Sequence, residues 1–254
     1  MPGDDLLGGG DAEQEIDVER ARIAHALLAG VRGLPPAEVP DALCRTCVAL
    51  LPEFSGLSVS MLGESPDMGV VLCASDEVAA RLAEIQYTLG EGPCREAVRL
   101  RAPVFASDLT RAPDQRRWPL FAVQAAKAGV EAVCSLPLAG GGSPLGTMDL
   151  YRETPGPLSA DHLRTALLVA DAVTLTVIAH ERASPAPDGA VTWLAGAESD
   201  REEVHQATGM IMMQLGLSAE EALLRLRARA FAQGLTSTEV ARAIIDRSMD
   251  LRDD

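Results

Sequence analysis

The 254-residue sequence predicts an α+β fold in which an antiparallel sheet domain with flanking helices precedes an all-α three-helix bundle. Three observations support this prediction. Short apolar or alternating runs between residues 57 and 151 are typical of strands. Segments on both sides of them have the three- and four-residue spacing of amphipathic helices. A Pro- and Gly-rich stretch over 184–189 then separates this mixed part from a last third that is all helical.

Two helices are predicted before the first strand. Apolar residues recur at helical spacing over 12–31, and Gly33 to Pro36 ends that helix. The second helix covers 37–51 and ends before Pro52. The residues before the first helix are acidic and Gly-rich, so we expect 1–11 to be disordered.

Five strands are predicted, and the first two form a hairpin around a turn at residues 63–67. The strands are expected at 57–62, 69–74, 103–106, 130–138 and 145–151. One helix over 115–128 lies between the third and fourth strands. Strands mixed with helices in this order indicate an antiparallel sheet covered by helices.

A long helix follows the sheet, and three shorter ones form the bundle. Ser159 caps the long helix, which ends near Arg182. Ser/Thr-x-x-Glu capping boxes mark three helix starts, and Gly216 and Gly234 mark helix ends. The boxes are Ser199 with Glu202, Ser218 with Glu221, and Thr236 with Glu239. We therefore expect the sheet domain and its helices over 12–183, a linker over 184–196 and the bundle over 197–254.

Composition narrows the classes of function. Lys and Arg total 22 against 37 Asp and Glu, which gives a net charge of -15, and only 3% of residues are aromatic. This balance argues against a broadly basic nucleic-acid-binding protein and against platforms of stacked aromatic side chains. From Arg201 onward, however, the sequence has seven arginines and nine acidic residues, so most of the net negative charge lies outside the bundle. Arg225 and Arg229 are four residues apart and can share one helix face.

No constellation for chemistry stands out, and we expect neither an enzyme nor a cofactor. The four histidines are isolated, which predicts no metal site. Cys44 and Cys47 fall on a predicted helix, and we expect both to be core cysteines. Cys94 is either a buried structural thiol or a redox-sensitive thiol whose pKa is lowered at a helix start. No apolar run approaches the roughly 20 residues of a membrane span, so we expect a cytoplasmic protein.

The C-terminal bundle resembles the ANTAR domain, an RNA-binding module of bacterial transcription antiterminators. The residues that carry the resemblance are Gln206-Ala207-Thr208-Gly209-Met210-Ile211-Met212, Ser218 with Glu221 and Ala222, Leu226-Arg227, Ala230, and Val240-Ala241. They span three helices in the family's order. The resemblance implies contact with hairpin loops of nascent mRNA through this segment and the following arginines. The implied RNA-binding residues are Ala207, Thr208, Gly209, Met210, Arg225, Arg227 and Arg229.

The upstream domain resembles a GAF domain of the kind that precedes ANTAR in actinobacterial regulators. The residues that carry this resemblance are Thr88-Leu89-Gly90-Glu91-Gly92-Pro93-Cys94, Pro103-Val104, Asp108-Leu109, Trp118-Pro119, Ser135-Leu136-Pro137-Leu138 and Gly146-Thr147. Gly90-Glu91-Gly92 lacks the Gly-Lys-Ser/Thr ending of a phosphate loop, so we expect it to shape the mouth of a pocket. Tyr87, Glu91, Cys94 and Trp118 are the pocket candidates.

Together the two resemblances imply a homodimeric, signal-sensing regulator that binds RNA and prevents transcription termination. The helices at 12–31 and 160–182 can pair between subunits. The alternative is a ligand-binding sensor whose bundle mediates dimerisation or protein partnering without RNA. Further choices stay open at this point. Arg225, Arg227 and Arg229 either contact RNA phosphate or form a solvated helix face. Ala207 and Gly209 either admit RNA or allow close helix packing, and Met212 and Met213 either fill the core or contact bases.

Overall fold

The computed structural model of this chain describes residues 8–62, 69–183 and 195–251. The first part contains α1 (Gly8–Val31), α2 (Val39–Leu50), β1 (Gly56–Leu62), β2 (Gly69–Ala74), α3 (Glu77–Leu89), α4 (Pro93–Leu100), β3 (Val104–Ala106), α5 (Asp114–Arg117), α6 (Pro119–Lys127), β4 (Ala132–Gly140), β5 (Ser143–Arg152) and α7 (Ala160–Ala183). The bundle contains α8 (Ala195–Leu215), α9 (Ala219–Gln233) and α10 (Ser237–Ile245).

The five strands form one sheet in the order β2-β1-β5-β4-β3, and every neighbouring pair is antiparallel. Two hairpins build it, β1 with β2 and β4 with β5, and they join where β1 pairs with β5. The short strand β3 lies at the edge beside β4. The predicted antiparallel sheet with flanking helices is confirmed.

One face of the sheet is apolar and forms the main core. Leu57, Val59, Leu136 and Leu150 are at most 1% exposed, and this cluster continues into α1, α2 and α7. Burying each such side chain contributes about 1.5–3 kcal/mol. The two-residue period of the strands places these residues on one side and their neighbours on the other.

The opposite face of the sheet is polar although it is buried. Ser58, Ser135, Thr147 and Asp149 are each at most 7% exposed. Ser58 and Ser135 lie across from Asp149 on the two strands that flank β5. Helices α3 and α4 pack on this face. It therefore carries hydrogen-bonding groups where the first face carries mostly apolar side chains.

Several predicted boundaries are wrong. Helix α1 begins at Gly8, so the predicted disorder fails for residues 8–11, while 1–7 and the predicted turn at 63–67 lie outside the described residues. Helix α8 begins at Ala195, so Ser199 lies inside that helix and does not cap it. The helix predicted over 115–128 is two helices, because the backbone leaves helical geometry at Trp118.

Cysteine pairing also differs from the prediction. Cys44 and Cys47 are buried on α2 as expected, but Cys44 forms a disulfide with Cys73 of β2. The partners are 29 residues apart in sequence. No local spacing could have indicated this pair, because only the packing of α2 on the sheet brings the two positions together.

Helix α7 corrects the expectation that no segment is long and apolar enough to span a membrane. Residues Ala160–His180 meet that test by length and composition, and half of the window is buried within the chain. The buried side includes Val169 and Val173, which belong to the main core. A core helix of a soluble protein passes the same test, so the finding is weak evidence for a membrane span.

The bundle has the helix caps that its sequence predicts for α9 and α10. Ser218 with Glu221 and Thr236 with Glu239 each form a complete reciprocal capping box. Gly234 ends α9 in the left-handed conformation, with φ 68°. The three helices enclose a core of Val204, Ala207, Ile211, Ala222, Leu226, Ala230, Val240, Ala241 and Ile244. The predicted three-helix bundle is confirmed.

Candidate functional site

The turn between α3 and α4 packs against the side chain of Gln86. Gly90 ends α3 with φ 64°, and Gly92 has φ 144° with the Oε1 atom of Gln86 only 2.4 Å from where a Cβ would stand. The same Oε1 accepts a hydrogen bond of 2.8 Å from the backbone N–H of Cys94. A side chain at position 92 would therefore collide with the group that fixes the turn.

Glu91 projects from this turn to the start of α6. Its Oε1 atom accepts hydrogen bonds from the backbone N–H groups of Leu120 at 2.8 Å and Phe121 at 3.0 Å. These are donors that a helix leaves without intrahelical partners, and the carboxylate also meets the positive end of the helix dipole. Glu91 thus joins the turn to α6.

Beneath the turn lies a buried acidic group that the sequence analysis missed. The Oδ2 atom of Asp149 accepts from Gln86 at 3.4 Å and from Thr147 at 3.5 Å. Burial raises the pKa of Asp149 to about 6, and hydrogen bonds from Gln86 and Thr147 oppose that rise. The available signal was the single charged residue in the fifth predicted strand.

Cys94 is a half-buried free thiol at the start of α4. Burial raises its pKa well above the ordinary value, and the nearby carboxylate of Asp149 adds to the rise. The backbone hydrogen bonds at the start of α4 act in the opposite direction but are smaller. The thiolate is therefore disfavoured, which favours the structural thiol over a redox-sensitive thiol of lowered pKa.

The four pocket candidates come together on one cavity. Tyr87, Glu91, Cys94 and Trp118 all line a space of about 730 Å³ between the polar face of the sheet, α3 and α4. Trp118 is 3% exposed, and the guanidinium of Arg117 lies 4.4 Å from its ring centre. Thr147 also lines the cavity. The sequence pattern and the geometry thus select the same place.

The bundle contacts the sheet domain directly, through α3. The backbone N–H and the hydroxyl of Ser237 both lie 3.1 Å from the Oγ1 atom of Thr88, and the Thr238 hydroxyl lies 3.1 Å from Glu84. Tyr87 belongs to the hydrophobic cluster of the bundle. We call this contact, formed by Glu84, Tyr87 and Thr88 with Arg227, Ser237 and Thr238, the docked surface.

Arg227 of the docked surface contacts residues that line the cavity. Its guanidinium lies 4.9 Å from the ring centre of Tyr87. A Cβ at Gly90 would be 3.7 Å from its Nη1 atom. Tyr87 and Gly90 both line the cavity, so Arg227 of the bundle packs against two of the residues that line it.

The structure separates the predicted RNA-binding residues. Ala207 is fully buried in the bundle core, and the Thr208 hydroxyl donates to the carbonyl of Val204 at 2.7 Å. Met210, Arg227 and Arg229 are half-buried, whereas Arg225 is exposed. Ala207 therefore serves packing in this arrangement.

Gly209 has no packing role in the described residues. No described atom lies within 4 Å of the place where a Cβ at this position would stand. Met213, one turn further along α8, is 87% exposed, so the core-filling alternative is wrong for this methionine. Neither residue of α8 is therefore covered by a described neighbour. We call Gly209, Met213 and Arg225 the open surface of the bundle.

Comparison with known proteins assigns these domains. The GAF domain family model matches residues 37–177, and the ANTAR domain model matches residues 194–245. This chain belongs to the GAF domain family and carries a C-terminal ANTAR domain. It is a signal-sensing regulator of the ANTAR type. No match was found among curated proteins.

Solved structures similar to this chain match it at low sequence identity. The GAF domain of a phosphoenolpyruvate-protein phosphotransferase from Coxiella burnetii is 15% identical, with 65% of this chain and 96% of that chain covered and a TM-score of 0.47. Free methionine-R-sulfoxide reductase from Neisseria meningitidis is 14% identical, covering 67% and 94%, with a TM-score of 0.46. The phycocyanobilin-bound GAF domain of a cyanobacterial phytochrome is 16% identical, covering 62% and 93%, with a TM-score of 0.45.

Proposed function

We propose that this protein regulates transcription by antitermination, with the ANTAR bundle contacting hairpin loops of nascent mRNA and the GAF cavity receiving a small-molecule signal. It acts as a cytoplasmic homodimer and has no catalytic role. The proposed boundaries are 12–183 for the GAF domain with its helices, 184–196 for the linker and 197–254 for the ANTAR domain. The proposal extends the family assignment to an activity.

Gly209 is the observation that carries the RNA-binding part. A glycine inside a helix costs about 1 kcal/mol relative to alanine. No described atom lies close enough to Gly209 to exclude a side chain at this position. A stability cost that no contact in the structure explains supports a functional reason for the glycine. A position without a side chain usually allows another molecule to approach the backbone closely. Met213 and Arg225 supply exposed apolar and cationic groups on the same bundle.

The homodimer has support in α1 and α7. These helices pack together within the chain, and their outer sides expose Val18, Leu28 and Leu175 by 64%, 52% and 64%. Exposed apolar side chains on adjacent helices favour a second copy as partner, because a symmetric interface places the same patch on both subunits. Sedimentation equilibrium of the chain and of a Leu175→Glu variant tests this part, and a monomeric native chain would refute it.

The test of RNA binding is a titration with a labelled RNA that holds two small-loop hairpins in tandem. Fluorescence anisotropy at several salt concentrations gives affinity and salt slope, and the same RNA with its loops closed by complementary pairs is the control. We expect loop-dependent binding that weakens with salt. Equal affinity for both RNAs, or binding without a salt slope, would refute the proposal.

The second candidate is a sensor whose bundle binds a protein partner. Leu224 and Phe231 favour it, since they are 66% and 44% exposed on α9. Exposed apolar groups on one helix are typical of a protein-binding face. The same titration separates the two candidates, because a protein-binding bundle would not discriminate between the two RNAs.

A further inference from the structure

The cavity of the GAF domain is bounded largely by apolar side chains. Tyr87, Val98 and Trp118 line it from the helical side, and Val71 of β2 lines it from the sheet. Its volume of about 730 Å³ lies in the range of pockets that hold small organic ligands. Apolar groups gain free energy when they leave water for such a surface. The wall therefore favours a ligand whose body is hydrocarbon or aromatic.

The five charged side chains that line this cavity are all engaged within the chain. Glu91 accepts from two backbone N–H groups of α6, and Glu96 pairs with Arg99 at 3.4 Å. Arg101 donates to a backbone carbonyl of the β4–β5 turn, and Arg95 also interacts within the chain. A charged ligand would lose its hydration here and would compete with these existing partners for a counter-charge. The cavity therefore favours an uncharged ligand.

Two hydroxyl side chains of the sheet lie side by side in this cavity. Ser60 of β1 and Thr147 of β5 are direct partners in the antiparallel pairing of the two strands, and both line the cavity. The Cβ atoms of such a pair are about 4.5–5.5 Å apart. The polar face of the sheet thus gives the cavity one hydrogen-bonding spot.

The hydroxyl proton of Thr147 is used within the chain. The hydroxyl donates to the Oδ2 atom of Asp149, 3.5 Å away. The pKa of that carboxyl is raised only to about 6, so at neutral pH it is mainly ionised and can only accept. A hydroxyl that donates its one proton keeps lone pairs with which it can accept. Thr147 therefore offers an acceptor to the cavity, and a ligand has to bring the donor.

We propose that the GAF cavity binds an uncharged, mainly apolar molecule that donates a hydrogen bond to Thr147. This inference rests on the proposed sensory function of the cavity and assigns the class of its ligand. A hydroxyl group on the ligand fits best, because it can donate to Thr147 and accept from the neighbouring Ser60 at the same time. The class is that of phenols and apolar alcohols.

The experiment compares three naphthalene probes. Naphthol is uncharged at neutral pH and has the donor, methoxynaphthalene is uncharged and has none, and naphthoate is an anion. Equilibrium dialysis measures the Kd of each probe for the full chain and for Thr147→Val. Thr176→Val is the matched control, because Thr176 is as buried as Thr147 but donates to Ala172 within α7. A Val98→Trp variant fills the cavity and so locates the binding. Circular dichroism checks that each variant is folded.

We expect naphthol to bind the native chain about fivefold more tightly than methoxynaphthalene, because one hydrogen bond is gained. Naphthoate should bind more weakly than naphthol. In Thr147→Val the advantage of naphthol should disappear, while methoxynaphthalene binds as before and shows that the cavity is intact. Thr176→Val should match the native chain for all three probes. Val98→Trp should weaken the binding of both uncharged probes.

The results that would overturn the inference separate it from the sensory function. Equal affinity for the two uncharged probes, or a preference for naphthol that survives in Thr147→Val, would refute the hydrogen bond to Thr147. Tightest binding of naphthoate would refute the uncharged class but leave a ligand-binding cavity. Binding of no probe, or binding that Val98→Trp does not weaken, would refute the sensory function of the cavity as well. RNA binding is measured separately by the hairpin titration.

Discussion

The docked and open surfaces of the ANTAR bundle differ in what satisfies their side chains. On the docked surface, Ser237 and Thr238 meet polar partners on α3, and Arg227 lies over an aromatic ring. On the open surface, no described atom lies near the Cβ position of Gly209, and Met213 is 87% exposed. Contacts within this chain thus account for the docked surface, whereas none among the described residues accounts for the open surface, where we propose that another molecule binds.

The largest expected effect comes from removing the ring at the centre of the docked surface. Tyr87 is 6% exposed, so Tyr87→Ala should lower the free energy of unfolding by about 3 kcal/mol. The loss should concentrate in the bundle, and amide hydrogen exchange over α8 to α10 should rise more than exchange over α7. Tyr87→Phe, which keeps the ring, is the control. Equal exchange in both regions would show that the ring does not hold the bundle.

The buried Asp149 of β5, which accepts a hydrogen bond from Gln86 of α3, gives a pH-dependent prediction. Folding raises the pKa of Asp149 to about 6 from an ordinary value near 3.8, so the folded chain binds more protons between these pH values. Stability from this group is therefore present at low pH and is lost as pH rises through that window. At pH 7 the penalty is about 3 kcal/mol, scaled from the pKa shift.

Asp149→Asn removes this titrating carboxyl. We expect the variant to gain stability over the native chain as pH rises from about 4 to 7. Urea unfolding at several pH values measures the difference, and Asp161→Asn, at an exposed acid of α7, is the control. A difference between Asp149→Asn and the native chain that does not vary with pH would contradict the assignment.

On the open surface, Arg225 tests whether another molecule binds there. Arg225→Gln should weaken binding of the tandem-hairpin RNA about tenfold, because one charge-assisted contact is lost. The salt slope should also become shallower by about 0.7–0.9. Anisotropy titrations measure both quantities. Arg116→Gln, an exposed arginine of the GAF domain, should change neither. Equal losses in the two variants would mean that the RNA senses only total charge.

Gly209 sharpens the comparison by setting stability against function. Gly209→Ala should stabilise the bundle by about 1 kcal/mol, because alanine is the better helix former and its methyl group meets no described atom. The same substitution should weaken RNA binding. Thermal unfolding and the hairpin titration measure the two effects on one sample. If stability rises and RNA affinity is unchanged, Gly209 does not face the RNA.

How far the sequence could predict this structure depended on how local each determinant is. The capping boxes of α9 and α10 lie within four residues and were predicted, as were the cavity residues Tyr87, Glu91, Cys94 and Trp118, which resemble family motifs. Helix α3 was missed. It buries Gln86, Tyr87 and Thr88 in succession, since the sheet covers one side and the bundle the other. Such a helix has no single apolar stripe.

The smallest expected effect concerns one hydrogen-bonded pair of the docked surface. In a double-mutant cycle with Thr88→Val and Ser237→Ala, the interaction energy should be about 0.5–1.5 kcal/mol. The two single variants should not be equal. Thr88 Oγ1 also lies 3.1 Å from the backbone N–H of Ser237, which begins α10. Thr88→Val therefore leaves a buried backbone donor without its acceptor and should cost more than Ser237→Ala, which removes only the hydroxyl.

Urea unfolding measures the cycle, and Thr88→Val paired with Ser248→Ala is the control, since Ser248 bonds to Ala243 within the bundle. An interaction energy near zero for the first pair, or Ser237→Ala as the costlier change, would show that the bundle does not rest on α3 in solution.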